Sequence, residues 1–384
     1  MNHKEIKRKI IDLKKHSGSH SPSIETVLHQ IPELKISIDA CFLSNPYATE
    51  LFFDQMKFDL FKNNEILKYL EYYPPQNYEV SRLLSKSIDI NPKNIFVGNG
   101  AIEIIQAIIQ RFVKNKLAVI IPTFSSYYEF ARKDTNVIFY KLKREDNFIL
   151  DVNDYISFIK KEKPDSIAII NPNNPDGGYI NTQDILKITN ELNFVDNIII
   201  DESFVHFAYE DSEFNPVGLE KMAINNDKII LVKSMSKDFG IAGIRAGYSI
   251  MSQDKVAKLL ENGYLWNVSG LAYYFFKLFS SKQFLQKYNL IRKKYIAETK
   301  DFLALLKKID QFIVYPSKAN FALVELPKNI SSFDFSMDLL IKHGIYVRDC
   351  SDKIGLIGNY IRMASRGEES NNIIINSLKD FVNE

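Results

Sequence analysis

The stretch "SIAIINPNNPDGG" (residues 166–178) sets a short apolar run against a turn rich in asparagine, proline and glycine. A run of this kind, closed by such a turn, reads as a strand buried on both faces. Six more occur between residues 94 and 251: "NIFVGNG" (94–100), "KLAVIIPTF" (116–124), "NVIFYKL" (136–142), "NIIIDES" (197–203), "KIILVKSMS" (228–236) and "AGYSIM" (246–251). Segments of helical periodicity separate several of them, such as "AIEIIQAIIQRFV" (101–113) and "TQDILKITNEL" (182–192). Strands alternating with helices predict an α/β fold on a mostly parallel, seven-stranded sheet. In four of the runs the unusual polar residues follow directly behind the strand, at the carboxyl end, where open α/β sheets hold ligands.

Toward both ends the pattern changes. Residues 1–60 hold a basic helix, the turn "HSGSHSPS" (16–23) and a strand candidate in "KISIDACFLSNP" (35–46). Residues 275–384 hold a long charged helical stretch, strands in "FIVYPSKANFALVEL", "GIYVRDC" and "YIRMAS", and a closing helix. The two ends are expected to meet in a smaller α+β domain. The implied division is 1–60 for an N-terminal arm with part of the small domain, 61–274 for the large domain and 275–384 for the rest.

With 46% hydrophobic and 25% charged residues, the 384-residue chain can fill such cores, which excludes a disordered or fibrous class. Its net charge of +2 leaves no footprint for nucleic acid or a membrane surface. Cys41 and Cys350 lie far apart, without partners at metal-ligand spacing, so neither a disulfide framework nor a metal site is expected, and a reducing cytoplasm fits. No apolar stretch reaches the roughly 18 residues of a spanning helix, and no apolar segment of a leader follows the basic start.

The polar residues behind the strands form a set. Asp201 ends "NIIID", and a carboxylate at a buried strand end demands a cation or hydrogen-bond donors. Asn174 lies in the turn behind another strand, and Lys237 and Arg245 follow a third in "SMSKDFGIAGIRAG" (234–247). In "GNGAIEII" (98–105) a glycine turn opens a helix, presenting backbone N–H groups and a positive helix end to a phosphate. Ser234, Ser236 and Arg245 can close around the same phosphate. Alone, Asp201 reads equally as a helix N-cap before "SFVHF". Beside Lys237 the ligand-binding reading prevails.

The ordered motifs "GNGA", "PTFSSY", "NPNNPDGG", "DESF", "SMSKDFGIAGIRAGY" and "YIRMAS" resemble those of the fold-type I, pyridoxal-phosphate-dependent aminotransferase superfamily over nearly the whole chain. The resemblance implies that Lys237 bonds covalently to the cofactor aldehyde, that Asp201 pairs with the pyridine nitrogen and that Asn174 hydrogen-bonds the ring hydroxyl. It places Phe124 against the ring, and assigns the cofactor phosphate to the Gly100 turn with the amides of Ala101 and Ile102, to Ser234, Ser236 and Arg245, and to Tyr73 reaching from a neighbouring subunit. A homodimer with shared sites is implied. One departure is Phe204, where the pattern usually carries a tyrosine that bonds the ring hydroxyl. Another is Ile102, where an acidic or polar residue is common.

Two branches of the superfamily, histidinol-phosphate aminotransferases and threonine-phosphate decarboxylases, resemble the chain further. Phe204, the "RDC…GL" stretch and the spacing from Asp39 to Asn45 favour the decarboxylase branch, although Leu43 stands where an asparagine is usual. That branch implies Arg362 on the substrate carboxylate, Arg348 with His16 or His20 on its phosphate, and Asn45 beside the substrate. The expected reaction is decarboxylation of O-phosphoserine or O-phosphothreonine to the phosphorylated amine. The alternatives are amino transfer on a phosphorylated substrate and, from another class, a cofactor-binding regulatory module without turnover.

Overall fold

The computed structural model describes residues 3–62, 64–261 and 263–383. The chain divides into two compact units, one of residues 1–43, 175–177 and 296–384, the other of residues 44–174 and 178–295. The boundaries therefore fall near residues 43 and 295 rather than 60 and 274. The second lies inside the uninterrupted helix Lys282–Leu306, where no turn residue marks the change.

The smaller unit opens with an amphipathic helix, His3–Lys15, whose Ile6 and Ile10 pack with Met337, Leu340 and Tyr346. Strand β1 (Ile38–Asp39) is the first of thirteen strands among the described residues. The next seven, β2 (Ile95–Asn99), β3 (Lys116–Ile121), β4 (Asn136–Lys141), β5 (Ser166–Ile170), β6 (Asn197–Asp201), β7 (Ile229–Ser234) and β8 (Ala246–Ile250), belong to the larger unit. They coincide with the seven apolar runs. The last five return to the smaller unit: β9 (Ile313–Val314), β10 (Phe321–Glu325), β11 (Ile345–Tyr346), β12 (Arg348–Asp349) and β13 (Tyr360–Ala364).

In the larger unit the strand order is β2-β8-β7-β6-β5-β3-β4. All neighbours pair in parallel except β8, which runs antiparallel to both β2 and β7. Strands β5 to β8 are buried along their whole length, as their unbroken apolar runs require in a sheet covered on both faces. Alternation assigns Phe96, Leu117, Val119, Ala168, Ile170, Ile199, Ile230 and Val232 to one face, where Ile104, Ile105, Ile108 and Ile109 of the helix Gly100–Phe112 cover them.

In the smaller unit β12-β13-β10-β9 form an antiparallel sheet, and β1 pairs in parallel with β11. Ala322, Val324, Ile361 and Met363 supply its core face, with Phe302, Leu306, Phe335 and Leu378 from the helices. Arg362 lies between Ile361 and Met363 and so projects from the other face. Among the described residues no helix is long and apolar enough to cross a membrane.

Candidate active site

Side-chain alternation and the one reversed strand together explain where the polar residues of the larger unit gather. Asp201 has the parity of Ile199, and Ser234 that of Val232, so both emerge on the face covered by the helix Gly100–Phe112. Because β8 is antiparallel, its first residues meet the last residues of the parallel strands, with Ala246 opposite Asn99 and Gly247 opposite both Gly98 and Ser234. Arg245, directly before β8, thus arrives at the carboxyl edge of the sheet.

The helix Gly100–Phe112 begins at that edge. Its N-cap, Asn99, makes no side-chain capping bond, while Glu103 reaches back to accept from the Asn99 N–H at 2.7 Å. The first-turn amides, including those of Ala101 and Ile102, are thus left uncapped by Asn99, at the positive end of the helix. Gly100 has φ +76°, and a Cβ there would stand 2.4 Å from Arg245 Nη2, so only glycine lets the guanidinium lie against the helix start. Arg245 itself adopts a left-handed backbone (φ 63°) and donates from Nη1 to the Ala242 carbonyl at 2.8 Å. Ser234 and Ser236 are buried beside it, the Ser236 N–H donating to Ser234 Oγ at 3.2 Å. Together these groups make a cluster of donors of the kind that suits a phosphate.

Asp201 lies deeper and is 3% exposed. It accepts from the Ser203 N–H and the Tyr127 hydroxyl, both at 2.8 Å. Burial raises its pKa despite these bonds and the nearby Lys237 charge, so the carboxylate is suited to a further cationic partner. Tyr127, which the sequence did not single out, is thus a candidate site residue through its bond to Asp201. Its only signal was a tyrosine in "PTFSSY", three residues beyond Phe124, which packs partly buried against the same core.

Asn174 is buried in a turn held from several sides. Thr123 donates to Asn173, Asn173 donates to the Pro122 carbonyl and its N–H to that of Gly178, and Asn171 exchanges two bonds with Ile180. Lys237 is half-buried, and its carbonyl accepts from the Asn45 N–H at 2.8 Å. Asn45 Oδ1 caps the helix Pro46–Met56, and with its N–H on the Lys237 carbonyl Asn45 couples that helix to the turn carrying Lys237; among the described residues its buried Nδ2 makes no hydrogen bond. Phe204 is buried. Tyr73 is 80% exposed and its ring lies 5.2 Å from that of Trp266.

In the smaller unit Arg348 and Arg362 are direct cross-strand partners, both buried and on one face of the sheet. The Arg362 guanidinium lies over the Phe321 ring at 5.3 Å and donates to the Cys41 carbonyl at 2.7 Å. Asp352 accepts two bonds from Arg348 Nη2, which also donates to the Ser19 carbonyl. Ser19 brings the histidine turn to Arg348, while His16 and His20 themselves are exposed. Two facing arginines repel unless anions lie between or beside them.

The acceptor and donors of the larger unit fit a phosphorylated cofactor with a pyridine ring. Comparison with known proteins agrees. Residues 54–367 match the model of the aminotransferase class I and II family. The chain is 55% identical to the L-serine phosphate decarboxylase of Campylobacter jejuni, covering 99% of this chain and 98% of that one. It is 44% identical to the L-serine phosphate decarboxylase of Sulfurospirillum multivorans, covering 97% and 95%. A solved decarboxylase structure from Sulfurospirillum multivorans superposes with a TM-score of 0.94 at 44% identity, covering 98% of this chain and 96% of that one.

Proposed function

Because the chain belongs to the aminotransferase class I and II family, we propose that it is a pyridoxal-phosphate-dependent carboxy-lyase that converts O-phospho-L-serine to ethanolamine phosphate and CO2. The observation that carries this reading is the buried cross-strand pair Arg348 and Arg362, two cations for a substrate with two anionic groups. Similarity to two L-serine phosphate decarboxylases over nearly the whole chain supports the choice of substrate.

When bound, pyridoxal phosphate supplies an aldehyde for the substrate amine and a pyridinium ring that takes up the electron pair freed at Cα. Lys237 would hold the cofactor at its aldehyde carbon. Asp201, steadied by Tyr127, would keep the ring nitrogen charged, and Asn174 would bond the ring hydroxyl without help from a tyrosine at Phe204. Phe124 covers the ring. Ser234, Ser236, Arg245 and the amides of Ala101 and Ile102, with Gly100 giving them room, hold the cofactor phosphate. Arg362 holds the substrate carboxylate and Arg348 its phosphate. The bond from Cα to the carboxylate breaks, CO2 leaves, and the Lys237 ammonium gives one proton to Cα.

The Ser19 bond to Arg348 places the histidine turn beside that arginine, whereas Asn45 acts through Lys237. We further propose a two-fold dimer in which Tyr73 reaches the neighbouring cofactor phosphate. Its exposed ring and the exposed Phe58, Phe61, Leu67 and Trp266 are the kind of surface a second copy covers. A cytoplasmic setting agrees with two buried free cysteines, Cys41 and Cys350.

Substrate choice is tested by supplying O-phospho-L-serine, O-phospho-L-threonine and L-serine in turn, without any 2-oxo acid, and measuring CO2. O-Phospho-L-serine is expected to give the highest kcat/KM, with L-serine lower by about 100-fold or more because a buried guanidinium is left unpaired. Faster release from O-phospho-L-threonine would reassign the substrate.

A further inference from the structure

Lys353 follows Asp352 in a turn closed by its own N–H on the Cys350 carbonyl, and its carbonyl accepts from the Leu356 N–H. The residue is 6% exposed, yet among the described residues its ammonium makes no hydrogen bond and no ion pair. The neighbouring carboxylates are engaged elsewhere, Asp352 on Arg348 and Asp349 on Lys14, Ser332 and Ser351. A lysine withdrawn this far from water with no partner for its charge is costly. Burial first, and then the charge of Arg348 with a smaller share from Arg362, lower its pKa to about 8. Arg348, Arg362 and Lys353 are three buried cations, and the residue directly before Lys353, Asp352, gives its carboxylate to Arg348.

A single carboxylate group of a substrate neutralises one of these charges. A phosphate dianion offers several acceptor oxygens and a second negative charge, enough for an arginine fork and a lysine together. We infer that Lys353 is a third cationic ligand of the substrate, binding its phosphate beside Arg348 and selecting phosphorylated over unphosphorylated amino acids. The inference rests on the proposed role of Arg348. A strand-register argument could not have found it, since Lys353 lies in the turn between β12 and β13.

The test uses the holoenzyme with Lys353→Met, Lys353→Arg and Arg348→Leu, measuring kcat and KM for O-phospho-L-serine, competitive inhibition by inorganic phosphate, and Tm at pH 7. Lys353→Met is expected to raise KM and the phosphate inhibition constant by about tenfold or more while kcat stays within about threefold, and Lys353→Arg to restore most of the loss. Its Tm is expected to equal or exceed that of the parent, because a buried charge without a partner is removed. If Lys353→Met leaves both constants unchanged while Arg348→Leu raises them, the inference fails and the phosphate reading stands. If neither variant moves them, the phosphate reading fails as well. A lowered Tm with KM unchanged would make Lys353 a structural residue and overturn the inference.

Discussion

Replacing Lys237 by alanine is expected to lower kcat for O-phospho-L-serine by about 10⁴-fold or more. On the roles proposed for Lys237, two functions vanish together in this variant. The amine that bonds the cofactor aldehyde is lost, and so is the acid that protonates Cα after CO2 departs. The phosphate cradle does not depend on it: Gly100, Ser234, Ser236 and Arg245 keep their positions through contacts of their own. Cofactor should therefore remain bound without a covalent link. Borohydride reduction followed by peptide mapping should label Lys237 in the parent and leave the variant unlabelled. Label on another lysine in the parent, or activity within tenfold of it in the variant, would remove Lys237 from its proposed role.

Asp201→Asn is expected to lower kcat by about 100-fold or more, because an amide cannot hold the ring nitrogen in its charged form. The stability of the two forms should move in opposite directions. In the cofactor-free protein burial raises the Asp201 pKa above its unfolded value, so the carboxyl favours folding below the unfolded pKa and loses that contribution as pH rises through the folded pKa. At pH 7 the cofactor-free Asn variant should thus melt no lower than the parent. Added pyridoxal phosphate should raise the Tm of the parent by more than that of the variant, since only the carboxylate gains a cationic partner. An equal rise in both would show that Asp201 does not meet the ring nitrogen.

Much of the larger unit was legible because burial on both faces leaves strands written as apolar runs. The helix read over 101–113 is Gly100–Phe112, and that read over 182–192 is Thr182–Glu191. The reversed direction of β8 was not legible, yet it is what brings Arg245 to the edge where Asp201 and Ser234 end. In the smaller unit strands of two residues, such as β1 and β12, leave little periodicity to read. Nor was it legible that Arg362 faces Arg348 across the sheet, a register set by the length of the turn between β12 and β13. The hydroxyl of Tyr127 on Asp201, the grip of Asp352 on Arg348 and the burial of Lys353 all depend on turn geometry that spacing does not encode.

The direction of the reaction is decided by following the carboxyl carbon. O-Phospho-L-serine carrying ¹³C in its carboxyl group is incubated with the holoenzyme in D2O, without a 2-oxo acid, and observed by NMR. All of the label should appear as CO2 and bicarbonate, matched mole for mole by ethanolamine phosphate bearing one deuteron on the former Cα. Label retained in a phosphorylated 2-oxo acid, with the amino group left on the cofactor, would contradict the decarboxylase and identify an aminotransferase.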